Sequence, residues 1–133
     1  MSWRHAIAFL ALLLSAAVAA RAQASPPQAP QEAPFDPYHA EKSLEIGTYY
    51  LKKGNYDAAI ERFQAAARSK PNFALAYRLL GEAYEKKGDK AEAVNSYRKY
   101  LEILPSAQDA GKVRKRIEKL SRGLNRAARH PSG

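Results

Sequence analysis

The chain has no cysteine in 133 residues, which excludes disulfide staples, thiol nucleophiles and cysteine metal sites. Histidine is almost as scarce. His5, His39 and His130 are spread across the whole length, so no two form a ligand pair at a metal-binding spacing, and no metal site is expected. No glycine-rich phosphate loop and no serine-nucleophile motif is present, because the glycines stand at turn and packing positions. The one suggestive carboxylate pair, Glu82 and Glu85, has the i to i+3 spacing of a solvated helix face. Nor does any run alternate apolar and polar residues as a half-buried strand would. These absences point to an all-α, non-enzymatic protein without a cofactor.

What is present begins with an apolar run. Residues 1–24 read MSWRHAIAFLALLLSAAVAARAQA, with a positive start at Arg4, apolar side chains from Ala6 to Ala20, and Ala22-Gln23-Ala24 at the end. This is the layout of a secretory signal peptide, with cleavage expected after Ala24. The alternative is a membrane anchor, but a helix from Ala6 to Ala20 would extend only about 22 Å, short of the ~30 Å hydrocarbon layer. The expected location is therefore periplasmic or secreted. Loss of Arg4 and Arg21 on cleavage would lower the formal net charge from +9 to +7, so the mature chain stays basic. Residues 25–36 then form a proline-rich linker, SPPQAPQEAPFD, with too little apolar surface to offset its ordering entropy. A role for it as a PxxP-type docking ligand is the functional alternative.

From Asp36-Pro37, an N-cap residue followed by proline at the first helical position, the pattern is helical. Four segments are expected: Pro37 to Lys53, Tyr56 to Ser69, Asn72 or Phe73 to Lys87, and Asp89 to Leu104. Gly54, Pro71, Gly88 and Pro105 close them in turn, since glycine accepts the left-handed cap conformation and proline cannot continue a helix. The segments repeat. At a constant offset of 34, Gly47 matches Gly81, Tyr50 matches Tyr84, Gly54 matches Gly88, Ala59 matches Ala93, Phe63 matches Tyr97, and Pro71 matches Pro105. A fixed period of this size marks stacked helix-turn-helix units, none of which buries its apolar face alone. Gly47 and Ala59 are expected where the helices of one hairpin touch, with Tyr50 and Phe63 filling the spaces beside them.

These residues resemble the tetratricopeptide repeat family, whose 34-residue unit carries the same order of glycine, aromatic, glycine, alanine, aromatic, small residue and proline. The resemblance covers residues 40–105, as repeat 1 (40–73) and repeat 2 (74–107). It departs at Ser43, where the second repeat has Tyr77, and at Tyr100, where the first has the small Ala66. Those departures predict a looser first unit and some repacking in the second. No third copy follows, because the glycine position becomes Lys115 and its aromatic neighbour Glu118. Residues 106–121 instead read as a capping helix, with a cap at Ser106, Asp109 three places on, and an apolar line through Ala110, Val113, Ile117, Leu120 and Leu124. The expected architecture is two hairpins plus this helix over 37–121, a short right-handed solenoid, with residues 122–133 as a disordered basic tail.

The resemblance implies where a partner would bind. Family members receive peptides or protein segments in a concave groove lined by the first helix of each repeat. In the first repeat that location selects Glu41, Leu44, Glu45, Thr48, Leu51 and Lys52. In the second it selects Leu75, Arg78, Glu82, Glu85 and Lys86. Leu44 and Thr48 replace the basic and asparagine clamp with which some members hold acidic chaperone tails, so a tail receptor of that kind is not expected. A protein or peptide partner is the first expectation.

Two other readings stand beside it. Between Gly111 and Gly133 lie eight basic residues against the single acid Glu118. Lys112, Arg114, Lys115, Arg116, Lys119 and Arg122 form a candidate patch for an anionic partner: a membrane surface with acidic headgroups, an envelope polymer, or, least favoured, nucleic acid. Base-stacking aromatics are missing from it. The third reading is a homo-oligomer, since two repeats are fewer than the three that usually give independent stability.

Overall fold

The structure, a computed structural model, describes residues 34–130. The expected signal segment, the proline-rich stretch up to Ala33 and the last three residues lie outside the described residues. Five helices succeed one another among the described residues: α1 (Pro37–Lys52), α2 (Tyr56–Ser69), α3 (Ala74–Lys87), α4 (Lys90–Ile103) and α5 (Ala110–Arg129).

The period of 34 is visible in the hydrogen bonds. The Asp36 carboxylate accepts from the backbone N–H of His39 at 2.9 Å, with Pro37 opening α1. Asn55 caps α2 by accepting from Ala58 N–H at 3.2 Å, and thirty-four residues later Asp89 caps α4 by accepting from Glu92 N–H at 3.4 Å. Such caps satisfy backbone donors that the first turn leaves unpaired. The two intra-hairpin turns match as well. Gly54 and Gly88 have φ of +75° and +93°, and Asn55 and Asp89 donate backbone N–H groups to Tyr50 and Tyr84 carbonyls at 3.0 and 2.9 Å. Between the hairpins the turn is held differently. Asn72 takes a left-handed φ of 61°, which asparagine tolerates better than most residues, and Phe73 caps α3 without a side-chain bond.

Each helix packs on its neighbours in sequence, and α1 also touches α3. The all-α solenoid of adjacent pairs is thus as expected. Within the hairpins the closest approach is glycine to aromatic ring. A Cβ on Gly47 would lie 2.6 Å from the Phe63 ring, and one on Gly81 2.5 Å from the Tyr97 ring. The expected contact of Gly47 with Ala59 is therefore refined: the rings of Phe63 and Tyr97 lie directly against the glycines, and Ala59 and Ala93 are buried in the same core regions.

The apolar interior runs along the stack in three stretches. Ala40, Ala66, Phe73 and Ala76 close the first, and Ala59, Ile60, Phe63, Leu80 and Ala83 the second. The third joins α4 to α5 through Val94, Tyr97, Tyr100, Val113 and Leu120, with Ile117 and Leu124 packed against it. Val113, Ile117 and Leu120 thus cover the edge of the second hairpin.

Two expectations are corrected here. The capping helix starts at Ala110, not Ser106, and Asp109 occupies its N-cap without a side-chain cap bond, because that carboxylate accepts from the Tyr100 hydroxyl instead. The helix continues to Arg129, so residues 122–129 are helical and not a disordered tail. Leu124, packed on the α4 cluster, extends the buried seam a further turn. Ser43, at the position where the second repeat has Tyr77, is buried, 2 % exposed. The end of α2 is tied back to α1 by Asp36 N–H donating to the Ser69 carbonyl at 2.8 Å.

Candidate functional site

Two adjoining clefts open on the side where α1, α3 and α5 face one another. The first, of about 420 Å³, lies between α1 and α3 and is lined by Thr48, Leu51, Lys52, Tyr56, Leu79, Glu82 and Lys86, with Gly54 at its rim. The second, of about 310 Å³, lies between α3 and α5 over the Tyr97 ring and is lined by Arg78, Glu82, Asp109, Lys112, Val113 and Arg116. Glu82 lines both, so the two clefts adjoin at this residue, and together they are called the groove.

The sequence selected many of these side chains, and the structure sorts them by what they already hold. Glu41 is committed to Lys70, 2.9 Å away, whose ammonium also sits 4.3 Å above the Phe73 ring. Glu45 pairs with Lys42 on its own helix at 2.9 Å. Leu44, with Glu41, Glu45, Thr48, Tyr49 and Lys52, lines a shallower depression along α1. The Thr48 hydroxyl donates to the Leu44 carbonyl at 2.8 Å, leaving its methyl group to the groove wall. Leu75 is 40 % exposed and lines neither cleft.

In the second cleft the charges are interlocked. Tyr97 donates its hydroxyl to Glu85 at 2.9 Å and accepts from Arg116 at 3.1 Å, while Arg116 also stands 3.6 Å from Glu85. Burial, and then the Glu85 carboxylate that its proton bonds, push the Tyr97 hydroxyl well above the usual phenol range. A parallel set forms one turn away. The Tyr100 hydroxyl donates to Asp109, whose other oxygen lies 3.6 Å from Arg78. The repacking expected at Tyr100 is this: the ring is buried and its hydroxyl finds a carboxylate at the start of α5.

Three residues assigned to the basic patch therefore belong elsewhere. Arg116 is part of the groove wall, and Arg114 donates to the Pro105 carbonyl at 2.8 Å, bracing the α4–α5 turn. Lys112 also enters the groove. Sequence reasoning placed no groove residue on α5, yet Lys112 and Arg116 stand 34 residues after Arg78 and Glu82, so extending the same offset would have found them. Tyr56, Leu79, Tyr97 and Asp109 were missed because neighbours from other helices bring them to the groove.

The repeated sequence has counterparts among known proteins. Residues 44–108 match the tetratricopeptide repeat family. The match covers just under half of the chain and takes in α2, α3, α4 and the second half of α1. Superkiller complex protein 3 of Homo sapiens is 38 % identical over 64 residues, which are 48 % of this chain and 4 % of that protein. The chloroplastic tetratricopeptide repeat domain-containing protein PYG7 of Arabidopsis thaliana is 31 % identical over 61 residues, 46 % of this chain and 20 % of that protein. The chain thus corresponds to a small part of these relatives. Tetratricopeptide repeat domains generally mediate protein-protein interaction, which is the coarse function the family match supports.

The described residues hold no group of three or more acidic or histidine side chains placed for a metal ion. Among them no helix is long and apolar enough to cross a membrane.

Proposed function

We propose that the chain is a non-enzymatic adaptor whose groove between α1, α3 and α5 receives an extended segment of a protein partner. The observation that carries this reading is the meeting of the two clefts at Glu82: apolar and aliphatic wall from Thr48, Leu51 and Leu79 in one, charges from Arg78, Lys112 and Arg116 in the other. The charged end is preorganised. Arg78 and Arg116 are held by Asp109 and by Glu85 with Tyr97, so a segment docking there meets side chains that have already lost part of their freedom. The layout of residues 1–24 supports placing this adaptor outside the cytoplasm, in the envelope or the exported fraction.

The test is crosslinking capture from an envelope fraction. Lys52→Glu with Lys86→Glu reverses two exposed groove charges that make no ion pair among the described residues, so the fold should be retained. The main crosslinked partner is expected to disappear with this variant and to persist when Lys115 and Lys119 are changed to glutamine. Retention of the partner by the groove variant, with unchanged helicity, would refute the groove as its site.

A further inference from the structure

The face of α5 opposite its buried seam carries a second, separate feature. With about 100° of turn per residue, Lys115, Lys119, Arg122, Arg126 and Arg129 fall within one narrow stripe on the side away from Val113, Leu120 and Leu124. The stripe exists only because the helix continues to Arg129; its ends are separated by about 21 Å at 1.5 Å per residue. All five side chains belong to exposed residues. Among the described residues only Arg122 meets an acid, Glu118 at 3.7 Å on the same helix, and the other four make no ion pair. The remaining basic residues of α5 are turned elsewhere: Arg114 to the Pro105 carbonyl, Lys112 and Arg116 into the groove.

We infer that this stripe adsorbs the protein to a bilayer surface rich in anionic lipid, leaving the groove free for a partner. Charge complementarity and shape select the occupant. Five exposed cations lie along one face of a single helix and line no cleft, so their tips can meet a planar anionic surface together, and no aromatic ring stands among them on which bases would stack. Insertion is excluded by the same packing that makes the stripe. The apolar side of α5 is spent against α4, through Val113 and Leu120 with Ile117 and Leu124, so contact is electrostatic and superficial. The stripe is independent of the proposed groove ligand, since none of its five residues lines either cleft.

The experiment is co-sedimentation of the full chain with vesicles of phosphatidylcholine alone and of phosphatidylcholine with about one third phosphatidylglycerol. The apolar run at Ala6–Ala20 can partition into either bilayer, so the quantity read is the ratio of the two partition coefficients. Each lost surface cation is expected to weaken adsorption to anionic lipid roughly fivefold. Lys115→Gln, Lys119→Gln, Arg126→Gln and Arg129→Gln combined should therefore bring the ratio down at least tenfold, as should 0.5 M salt, while circular dichroism stays helical. Lys52→Glu with Lys86→Glu should retain a high ratio. That arm separates the stripe from the groove: loss of the crosslinked partner without loss of the ratio leaves this proposal standing whichever way the adaptor reading falls. A wild-type ratio near one, or a high ratio unchanged in the fourfold variant, overturns the proposal. So does capture of soluble polyphosphate or heparin by a chain that ignores anionic vesicles, which would assign the stripe to a polymer.

Discussion

Gly81→Ala is the sharpest test of the hairpin packing, because two effects of known sign oppose each other at that site. Alanine is the better helix former, and in an interior position of α3 the exchange favours folding by about 1 kcal/mol. Against it stands the Tyr97 ring. The new Cβ would lie 2.5 Å from two ring carbons and 2.9 Å from a third, distances that van der Waals radii do not allow. The ring has little room to retreat, being 1 % exposed, packed in the α4–α5 core and held at its hydroxyl by Glu85 and Arg116. Forcing an extra methyl into such a site costs roughly 1–3 kcal/mol, and with a ring fixed at both ends the upper part of that range applies. The net expectation is a loss of about 1–2 kcal/mol, which for a unit of this size lowers Tm by roughly 5–15 °C. Thermal unfolding followed by circular dichroism at 222 nm reads it directly. Gly111→Ala is the control, since nothing lies within 4 Å of its added Cβ; there the propensity gain acts unopposed and Tm should hold or rise. If Gly81→Ala is as stable as the control, the close approach of α3 to the Tyr97 ring is not made.

Three other outcomes are expected. Asp109→Ala removes the acceptor of the buried Tyr100 hydroxyl and the partner of Arg78, and should cost about 1–3 kcal/mol in urea unfolding, with Asp109→Asn costing less because an acceptor oxygen remains. Tyr97 has its folded pKa raised by burial and by the Glu85 hydrogen bond, so its neutral form stabilises the fold fully below the unfolded phenol value of about 10 and less as pH rises above it. Stability should fall above about pH 10, and Tyr97→Phe should fall less steeply over that interval. If residues 1–24 act as an export signal, the intact mass of protein recovered from the envelope or medium will correspond to a chain that begins at Ser25; a chain retaining Met1 in membranes would instead support the anchor reading.

The two hydrogen-bonded knots in the groove show where linear reading stops. Tyr97 and Glu85 are twelve residues apart across one turn, yet the bond that joins them depends on Gly81 letting the ring come close. Arg116 comes from outside the repeat altogether, and in the sequence it is one of several neighbouring cations. The seating of Val113 and Leu120 on α4 turns Arg116 toward Glu85, while Lys115, its neighbour in the chain, points about 100° away around the helix. Asp109 reads as part of a capping box because local rules award a carboxylate to the nearest free N–H. A buried phenol from the preceding helix is the partner it has.

The period, the ends of α1 to α4 and the small-against-large alternation were determined by the sequence itself, because each rests on interactions within a few residues or within one hairpin. Asp36, Asn55 and Asp89 cap the helices α1, α2 and α4, and Gly54 and Gly88 adopt positive φ wherever the chain must reverse so tightly. Tertiary structure decided the site. Which cations stay free and which become wall, how far α5 runs, and where the two clefts adjoin all depend on how α5 lies on α4 and how α3 stands between α1 and α5. Those are contacts between residues distant in the chain, and burying the seam through Val113, Leu120 and Leu124 sets the rotation of α5 on which each of them rests.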